Sequence, residues 1–126
     1  MIPYGRQHIT PQDEAAVLEV LRSDWLTQGP TIERFERELA RLADAQHAVA
    51  VNSATSALHI ACLALGLGPG DRLWTSPNTF VASANCFLFQ NADPVFVDID
   101  EDTLSIDPAL LPAALSERTR AGLPVH

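Results

Sequence analysis

The chain has 126 residues, of which 47% are hydrophobic, and this length and composition suit one soluble domain with a substantial core. Sixteen acidic residues against eight basic ones give a formal net charge of −8, which argues against nucleic acid and anionic membranes as partners. The sequence has neither an apolar stretch of membrane-spanning length nor a signal-peptide pattern at its start, so we expect a cytoplasmic protein.

The basic residues and the cysteines limit which reactions and which kinds of site the chain can support. All eight basic residues are arginines, and the chain contains no lysine, so these residues alone cannot complete a reaction that needs a lysine amine. Cys62 and Cys86 each lie in an apolar stretch, which predicts two buried reduced thiols. Neither cysteine has the spacing of a metal ligand, so we expect no metal site.

Two amphipathic helices are predicted in the first third of the chain. Thr10, Pro11 and Asp13 have the pattern of an N-cap, a first-turn proline and a capping box, which opens a helix over "PQDEAAVLEVLRS". A loop, "DWLTQGP", separates it from a second helix that begins at Pro30. The apolar residues expected to face inward are Val17, Leu18 and Leu21 in the first helix and Ile32, Phe35, Leu39 and Leu42 in the second.

From His47 onward, short apolar strands alternate with helices. The strands are predicted at "HAVAV", "RLWTS" and "PVFVDI", with "GLPVH" beginning a fourth, and the helices at "NSATSALHIACLAL", "TFVASANCFLFQN" and after Asp107 and Pro108. This order predicts an α/β fold in which helices cover both faces of a mostly parallel sheet, preceded by the two N-terminal helices. Because the fourth strand coincides with the last residue, we expect a domain that is truncated at its C-terminus.

Polar residues follow two of these strands, at the edge of a parallel sheet where ligands bind. Asn52 to Ser56 head a helix whose free N–H groups attract an anion, and the apolar residues behind them are expected to anchor the helix on the sheet: Leu58, Ile60, Leu63 and Leu65. Taken alone, Ser and Thr here are better explained by ordinary helix capping than by a ligand site. Ser76 to Phe80 follow the next strand and add an aromatic ring. Together the two segments predict a pocket for a phosphorylated aromatic cofactor.

Four segments resemble the pyridoxal-phosphate-dependent sugar aminotransferases of the DegT/DnrJ/EryC1/StrS family. They are "LRSDWLTQGPTIERFE", "NSATSALHIACLALGLGPGD", "LWTSPNTFVASANC" and "PVFVDIDEDTLSID". Within the family, "LTQGP", "NSATSALH" and "SPNTFVASANC" are most similar to the nucleotide-sugar 4-aminotransferase of pseudaminic acid biosynthesis. The resemblance implies the N-terminal third of such an enzyme. It divides the chain into an extended arm with two helices, residues 1–46, and an incomplete cofactor-binding domain of fold type I, residues 47–126.

The resemblance also implies roles for individual residues. Ala54, Thr55 and Ser56 would hold the cofactor phosphate, and Phe80 would stack on the pyridine ring. The residues that would contact the nucleotide-sugar are Tyr4, Asp24, Trp25, Leu26 and Thr27. The catalytic lysine and the aspartate that pairs with the pyridine nitrogen would lie beyond this chain, in agreement with its lack of lysine. Such enzymes are homodimers that share active-site residues between subunits.

The implied reaction transfers the amino group of L-glutamate to the 4-keto carbon of a UDP-linked 6-deoxy-4-keto-N-acetylhexosamine. Three alternatives stay open at this point. One is another sugar aminotransferase of the same family, and another is a truncated fold without catalysis. The third is a magnesium-dependent phosphotransferase, because Asp98 and Asp100 follow a strand at the spacing of a DxD nucleophile motif. An acidic loop before a helix explains the same two residues.

Overall fold

A computed structural model describes residues 5–125 and divides the chain into two compact units, residues 1–50 and residues 51–126. We call them the N-terminal unit and the C-terminal unit. No helix among the described residues has the length and apolar character needed to cross a membrane. The sequence-based fold class is confirmed, since the C-terminal unit is a parallel sheet with helices.

The N-terminal unit contains helices α1 (Pro11–Leu21) and α2 (Pro30–Leu42). The predicted capping box starts α1: the Thr10 hydroxyl accepts the Asp13 N–H at 3.3 Å, and the Asp13 carboxylate accepts the Thr10 N–H at 2.7 Å. These hydrogen bonds from Thr10 lower the pKa of Asp13. Two exposed ion pairs follow one face of α2, Glu33 with Arg37 and Glu38 with Arg41.

The expected burial of the apolar faces of α1 and α2 is wrong for the described residues. Ala40 is the only buried side chain that the structure describes in this unit. The predicted inward-facing residues are 41–73% exposed: Val17, Leu18, Leu21, Ile32, Phe35, Leu39 and Leu42. The 3.6-residue period therefore identifies both helices correctly, but a helix buries its apolar face only where another element covers it.

The predicted first strand, residues 47–51, is also absent from the structure, which has no regular secondary structure there. The N–H group of Ala50 donates to the Glu36 carboxylate at 2.8 Å, so a side chain of α2 takes the hydrogen bond that a neighbouring strand would have made. Apolar alternation predicts a strand only where a partner strand is available.

The C-terminal unit contains α3 (Ala54–Ala64), β1 (Arg72–Thr75), α4 (Ala82–Leu88) and β2 (Asp93–Phe96). A 3₁₀ turn (Pro108–Leu110) then leads into a short helix, α5 (Leu111–Ala114), and to β3 (Thr119–Leu123). All three strands are parallel, in the order β2-β1-β3. The last strand begins at Thr119, three residues before Gly122, the start that the sequence predicts for it. The Asp107 side chain caps the 3₁₀ turn as expected and accepts the Ala109 N–H at 2.8 Å.

The core of this unit lies between the sheet and the pair α3 and α4. Leu73 and Phe87 are each 2% exposed and pack with both cysteines. The thiols are free and buried, as predicted, and burial together with the neighbouring Cys62 raises the pKa of Cys86 to about 12. Of the four apolar residues expected to anchor α3, only Leu58 packs against this core. Ile60, Leu63 and Leu65 are about half exposed, because the buried face of α3 continues from Leu58 to Cys62, one turn later.

Candidate functional site

Ser53 caps the N-terminus of α3. Its extended backbone turns the chain into the helix, and its hydroxyl oxygen accepts the Ser56 N–H at 3.2 Å. The Ser53 carbonyl accepts the Ala57 N–H at 3.1 Å. Two of the N–H groups in this turn, those of Ala54 and Thr55, find no acceptor among the described residues. They stand at the positive end of the helix dipole, so this turn is suited to bind an anion.

The hydroxyl group of Ser56 already makes hydrogen bonds to neighbouring side chains. It donates to the Asn52 side-chain oxygen at 2.7 Å and lies 3.1 Å from the Ser53 hydroxyl. No hydrogen bond of the described structure uses the Thr55 hydroxyl, and both Ala54 and Thr55 are exposed. Of the three residues predicted to hold a phosphate, Ala54 and Thr55 therefore have unused donors, whereas Ser56 would have to exchange an existing hydrogen bond for one to a ligand.

The loop between β1 and α4, residues 76–81, carries the second predicted element, Phe80. The loop begins in the core, since Thr75 and Ser76 are both 0% exposed, and the Thr75 hydroxyl donates to the Leu123 carbonyl at 2.8 Å. It ends with the Thr79 and Ser83 hydroxyls 2.9 Å apart. The Phe80 side chain is 74% exposed, which leaves its ring free to contact a ligand.

The connections predict that these two segments lie at the same edge of the sheet. Only seven residues join the end of α3 to the first residue of β1, so we expect α3 to run antiparallel to that strand, with its N-terminus towards the carboxyl end of the strand. The 76–81 loop leaves β1 at that carboxyl end. Because α3 also packs against α4, we infer that the Thr55 turn and the Phe80 loop lie at one rim, the place where open α/β sheets bind ligands.

The predicted nucleotide-sugar residues belong to the N-terminal unit. Asp24, Trp25, Leu26 and Thr27 form the turn between α1 and α2, in which the Trp25 N–H donates to the Ser23 hydroxyl at 3.1 Å. Trp25 is 59% exposed and Leu26 is 66% exposed. The Trp25 side chain leaves no room for a Cβ atom at Gly29, which has a positive φ of 84°. Tyr4 lies outside the described residues.

The two aspartates of the alternative phosphotransferase motif accept hydrogen bonds from backbone N–H groups of their own loop. Asp98 accepts the N–H of Ile99 at 2.8 Å, and Asp100 accepts the N–H of Thr103 at 2.8 Å. The latter bond lowers the pKa of Asp100. Between residues 5 and 125 no three His, Cys, Asp or Glu side chains come together as a metal site would require. These contacts favour the acidic-loop interpretation over a magnesium-binding nucleophile.

One contact at the rim was not predicted. The Asn78 side-chain amide donates to the Leu104 carbonyl at 3.3 Å and thereby joins the Phe80 loop to the segment that follows β2. The acceptor is a backbone group, which carries no residue-specific signal in the sequence. Only the position of Asn78 just after Pro77 indicated a residue suited to a turn.

Comparison with protein families gives a match over nearly the whole chain. The DegT/DnrJ/EryC1/StrS aminotransferase family model matches residues 7–126. Spore coat polysaccharide biosynthesis protein SpsC of Bacillus subtilis (strain 168) is 50% identical over 125 residues, 99% of this chain and 32% of SpsC. The UDP-4-amino-4-deoxy-L-arabinose–oxoglutarate aminotransferase of Shewanella sediminis (strain HAW-EB3) is 44% identical over the same shares. The chain thus spans about a third of the length of these relatives.

Solved structures agree with this match. Spr1654 of Streptococcus pneumoniae is named as a sugar aminotransferase. Its PMP form superposes with a TM-score of 0.90 at 36% identity, over 98% of this chain and 31% of that chain. NtdA of Bacillus subtilis with bound cofactor PMP gives a TM-score of 0.83 at 37% identity, over 94% of this chain and 28% of that chain.

Proposed function

The chain belongs to the DegT/DnrJ/EryC1/StrS aminotransferase family, and on that premise we propose that it is the cofactor-gripping N-terminal part of a pyridoxal-phosphate-dependent sugar aminotransferase. The observation that carries the proposal is the packing of α3 against α4, because two unpaired N–H groups lie at the start of α3 and the exposed ring of Phe80 lies just before α4. Bound pyridoxal phosphate supplies an electron sink through which an amino group is moved between molecules.

In this proposal each rim segment has a separate task. The Ala54 and Thr55 N–H groups and the Thr55 hydroxyl bind the phosphate, and Ser56 joins them by exchanging its hydrogen bond to Asn52. Ala54 has only a methyl side chain, which lets the phosphate approach the backbone closely. Phe80 covers one face of the pyridine ring and excludes water from it. With no lysine, the chain binds the cofactor without attaching it covalently.

The finer proposal concerns the substrates. We propose that the whole enzyme takes an amino group from L-glutamate and delivers it to the 4-keto carbon of a UDP-linked 6-deoxy-4-keto-N-acetylhexosamine, as in pseudaminic acid biosynthesis. The likeness of the "LTQGP", "NSATSALH" and "SPNTFVASANC" segments supports this acceptor. Tyr4 and the Asp24 to Thr27 turn would contact the nucleotide-sugar. Residues 1–46 would form an extended arm with two helices, residues 47–126 would form part of the cofactor-binding domain, and two copies of the enzyme would share active-site residues.

A second acceptor is favoured by a specific observation. The 44% identical relative from Shewanella sediminis is named for amino transfer between UDP-4-amino-4-deoxy-L-arabinose and oxoglutarate. Both candidates place the amino group on C4 of a UDP-sugar, and they differ in the substituents at C2 and C5. Fusing residues 1–126 to the remaining two thirds of that relative, and assaying both 4-keto sugars with glutamate, distinguishes them by which one is aminated.

The binding experiment tests the cofactor proposal directly. Pyridoxal phosphate is titrated into the chain, its Thr55→Ala and Phe80→Ala variants and a Leu63→Ala control, whose side chain is 54% exposed on α3. We expect Thr55→Ala and Phe80→Ala each to weaken binding by about three- to tenfold, the control to match the parent chain, and borohydride to trap no adduct on a side chain. Equal affinities for all four proteins, or no binding by the parent chain, would contradict the proposal.

A further inference from the structure

Asn78 connects two loops that leave neighbouring strands at the same rim. Its side-chain amide donates to the Leu104 carbonyl, and its backbone N–H donates to the Ser76 hydroxyl at 3.1 Å. Ser76 is 0% exposed, so one end of this connection is fixed in the core. The other end lies in the segment after β2, 26 residues further along the chain.

Leu104 has a backbone conformation that is unusual for its residue type. Its φ is +58°, in the left-handed region that a leucine rarely adopts and that costs free energy. A local turn holds it there: the Leu104 N–H donates to the Asp100 carbonyl at 2.8 Å, and the Asp100 N–H donates to the Ser105 carbonyl at 2.9 Å. An antiparallel bridge between Ile99 and Ile106 closes the base of this turn. The strained residue therefore presents its carbonyl to Asn78 from a braced turn.

Phe80 lies two residues beyond Asn78 and has little support of its own. With 74% of its surface exposed, its ring is not held by packing against the described residues. The backbone that carries it is fixed on one side by Asn78 and on the other by the contact between the Thr79 and Ser83 hydroxyls. The Phe80 carbonyl also accepts the Ser83 N–H at 3.0 Å, so the position of the ring is set by its backbone, part of which is held by the hydrogen bond from Asn78 to the Leu104 carbonyl.

We propose that Asn78 is a positioning residue that sets the aromatic ring of Phe80 over the cofactor by fastening its loop to the Leu104 turn. This inference rests on the proposed function, because it assigns Asn78 a task in cofactor binding. Asn78 itself needs no contact with the cofactor. Its effect is to reduce the conformational freedom that the loop loses when the ring stacks.

The test is a double-mutant cycle with pyridoxamine 5′-phosphate as the probe and inorganic phosphate as the comparison ligand. Asn78→Ala removes the amide, and Asn78→Leu is the uncharged variant that keeps a similar size of side chain but cannot donate to the Leu104 carbonyl. We expect both to bind pyridoxamine 5′-phosphate about three- to tenfold more weakly and inorganic phosphate unchanged. In a Phe80→Ala background, Asn78→Ala should cause no further loss, because the ring it positions is gone.

A second readout follows the contact without any ligand. Amide hydrogen exchange at residue 78, whose N–H donates to the Ser76 hydroxyl in the parent chain, should accelerate in Asn78→Ala because the loop is no longer fastened to the Leu104 turn, while thermal unfolding of the chain shifts little. Unchanged exchange at residue 78, or an equal loss of affinity with and without Phe80, would overturn the positioning role even if Phe80→Ala alone weakens binding. If the parent chain binds no pyridoxamine 5′-phosphate, or if Phe80→Ala has no effect, the proposed function fails and this inference fails with it.

Discussion

The two units of this chain differ in what holds their elements together. Both begin their helices with well-formed signals, such as the Thr10 capping box in α1 and the Ser53 cap in α3. The described part of the N-terminal unit nevertheless buries only Ala40, whereas the C-terminal unit encloses Leu73, Phe87 and two cysteines between a sheet and two helices. Local hydrogen bonds therefore suffice to define an element, but a core requires a second layer to cover it.

The largest expected effect is on stability, and it distinguishes the two units by one phenylalanine in each. Phe87→Ala removes a side chain that is 2% exposed and should destabilise the C-terminal unit by about 3–5 kcal/mol. Phe35→Ala removes one that is 57% exposed on α2 and should change stability by less than about 1 kcal/mol. Urea unfolding followed by circular dichroism measures both. Similar losses for the two variants would show that the N-terminal unit has a core of its own.

The next effect tests packing on the opposite face of the sheet. Gly122 lies directly against the Trp74 indole ring, with no room for a Cβ atom. We expect Gly122→Ala to displace the ring and destabilise the unit by about 1–3 kcal/mol. Gly68→Ala is the matched control, because nothing lies within 4 Å of the added atom there, and its effect should stay within about 0.5 kcal/mol. A stable Gly122→Ala variant with unchanged tryptophan fluorescence would be incompatible with this contact.

A smaller effect separates folding from binding at the start of α3. Ser53→Ala removes the hydroxyl that accepts the Ser56 N–H and should cost about 1 kcal/mol of stability. Thr55→Ala removes a hydroxyl with no partner in the described structure, so unfolding should be unaffected while cofactor affinity falls. If Thr55→Ala proves as destabilising as Ser53→Ala, the Thr55 side chain is part of the cap and not a free donor.

The smallest effect concerns pH. Hydrogen bonds from Thr10 lower the pKa of Asp13 below its ordinary value of 3.8, so the capping box stabilises α1 above that pH and is lost as pH falls through the lowered pKa. Helical circular dichroism of the chain and of Asp13→Asn should therefore differ at pH 7 and converge in acid, once the pH has fallen below the lowered pKa of Asp13. A difference that persists in acid would show that the Asp13 charge is not what stabilises the helix.

Local signals made much of the fold predictable from the sequence. The caps at Thr10 and Asp107, the parallel strands and the pair of buried thiols follow from residue type, spacing and apolar runs. The prediction of a strand at residues 47–51 was wrong because it assumed a partner strand, and the Ala50 N–H donates to the Glu36 carboxylate instead. The predicted burial of Ile60 and Leu63 was wrong because the sequence of an apolar helix does not indicate which of its faces packs against the sheet.

The candidate site was predictable in composition but not in its internal hydrogen bonds. The sequence predicts that Thr55 and Phe80 each follow a strand. The structure has a strand only before Phe80, and the inference that both segments lie at one rim rests on the connection of α3 to β1 and its packing against α4. It does not indicate that Ser56 is engaged by Asn52, nor that Asn78 reaches the carbonyl of Leu104. Such contacts depend on side-chain rotamers and on backbone groups, which every residue carries alike.

The most direct measurement of the central claim is an NMR titration of the isotope-labelled chain with pyridoxamine 5′-phosphate. If the two rim segments bind one ligand, the Thr55 N–H and the Phe80 ring signals will shift together and saturate with a single dissociation constant, while inorganic phosphate will shift Thr55 alone. Saturation at different concentrations, or a response confined to one of the two segments, would contradict the account.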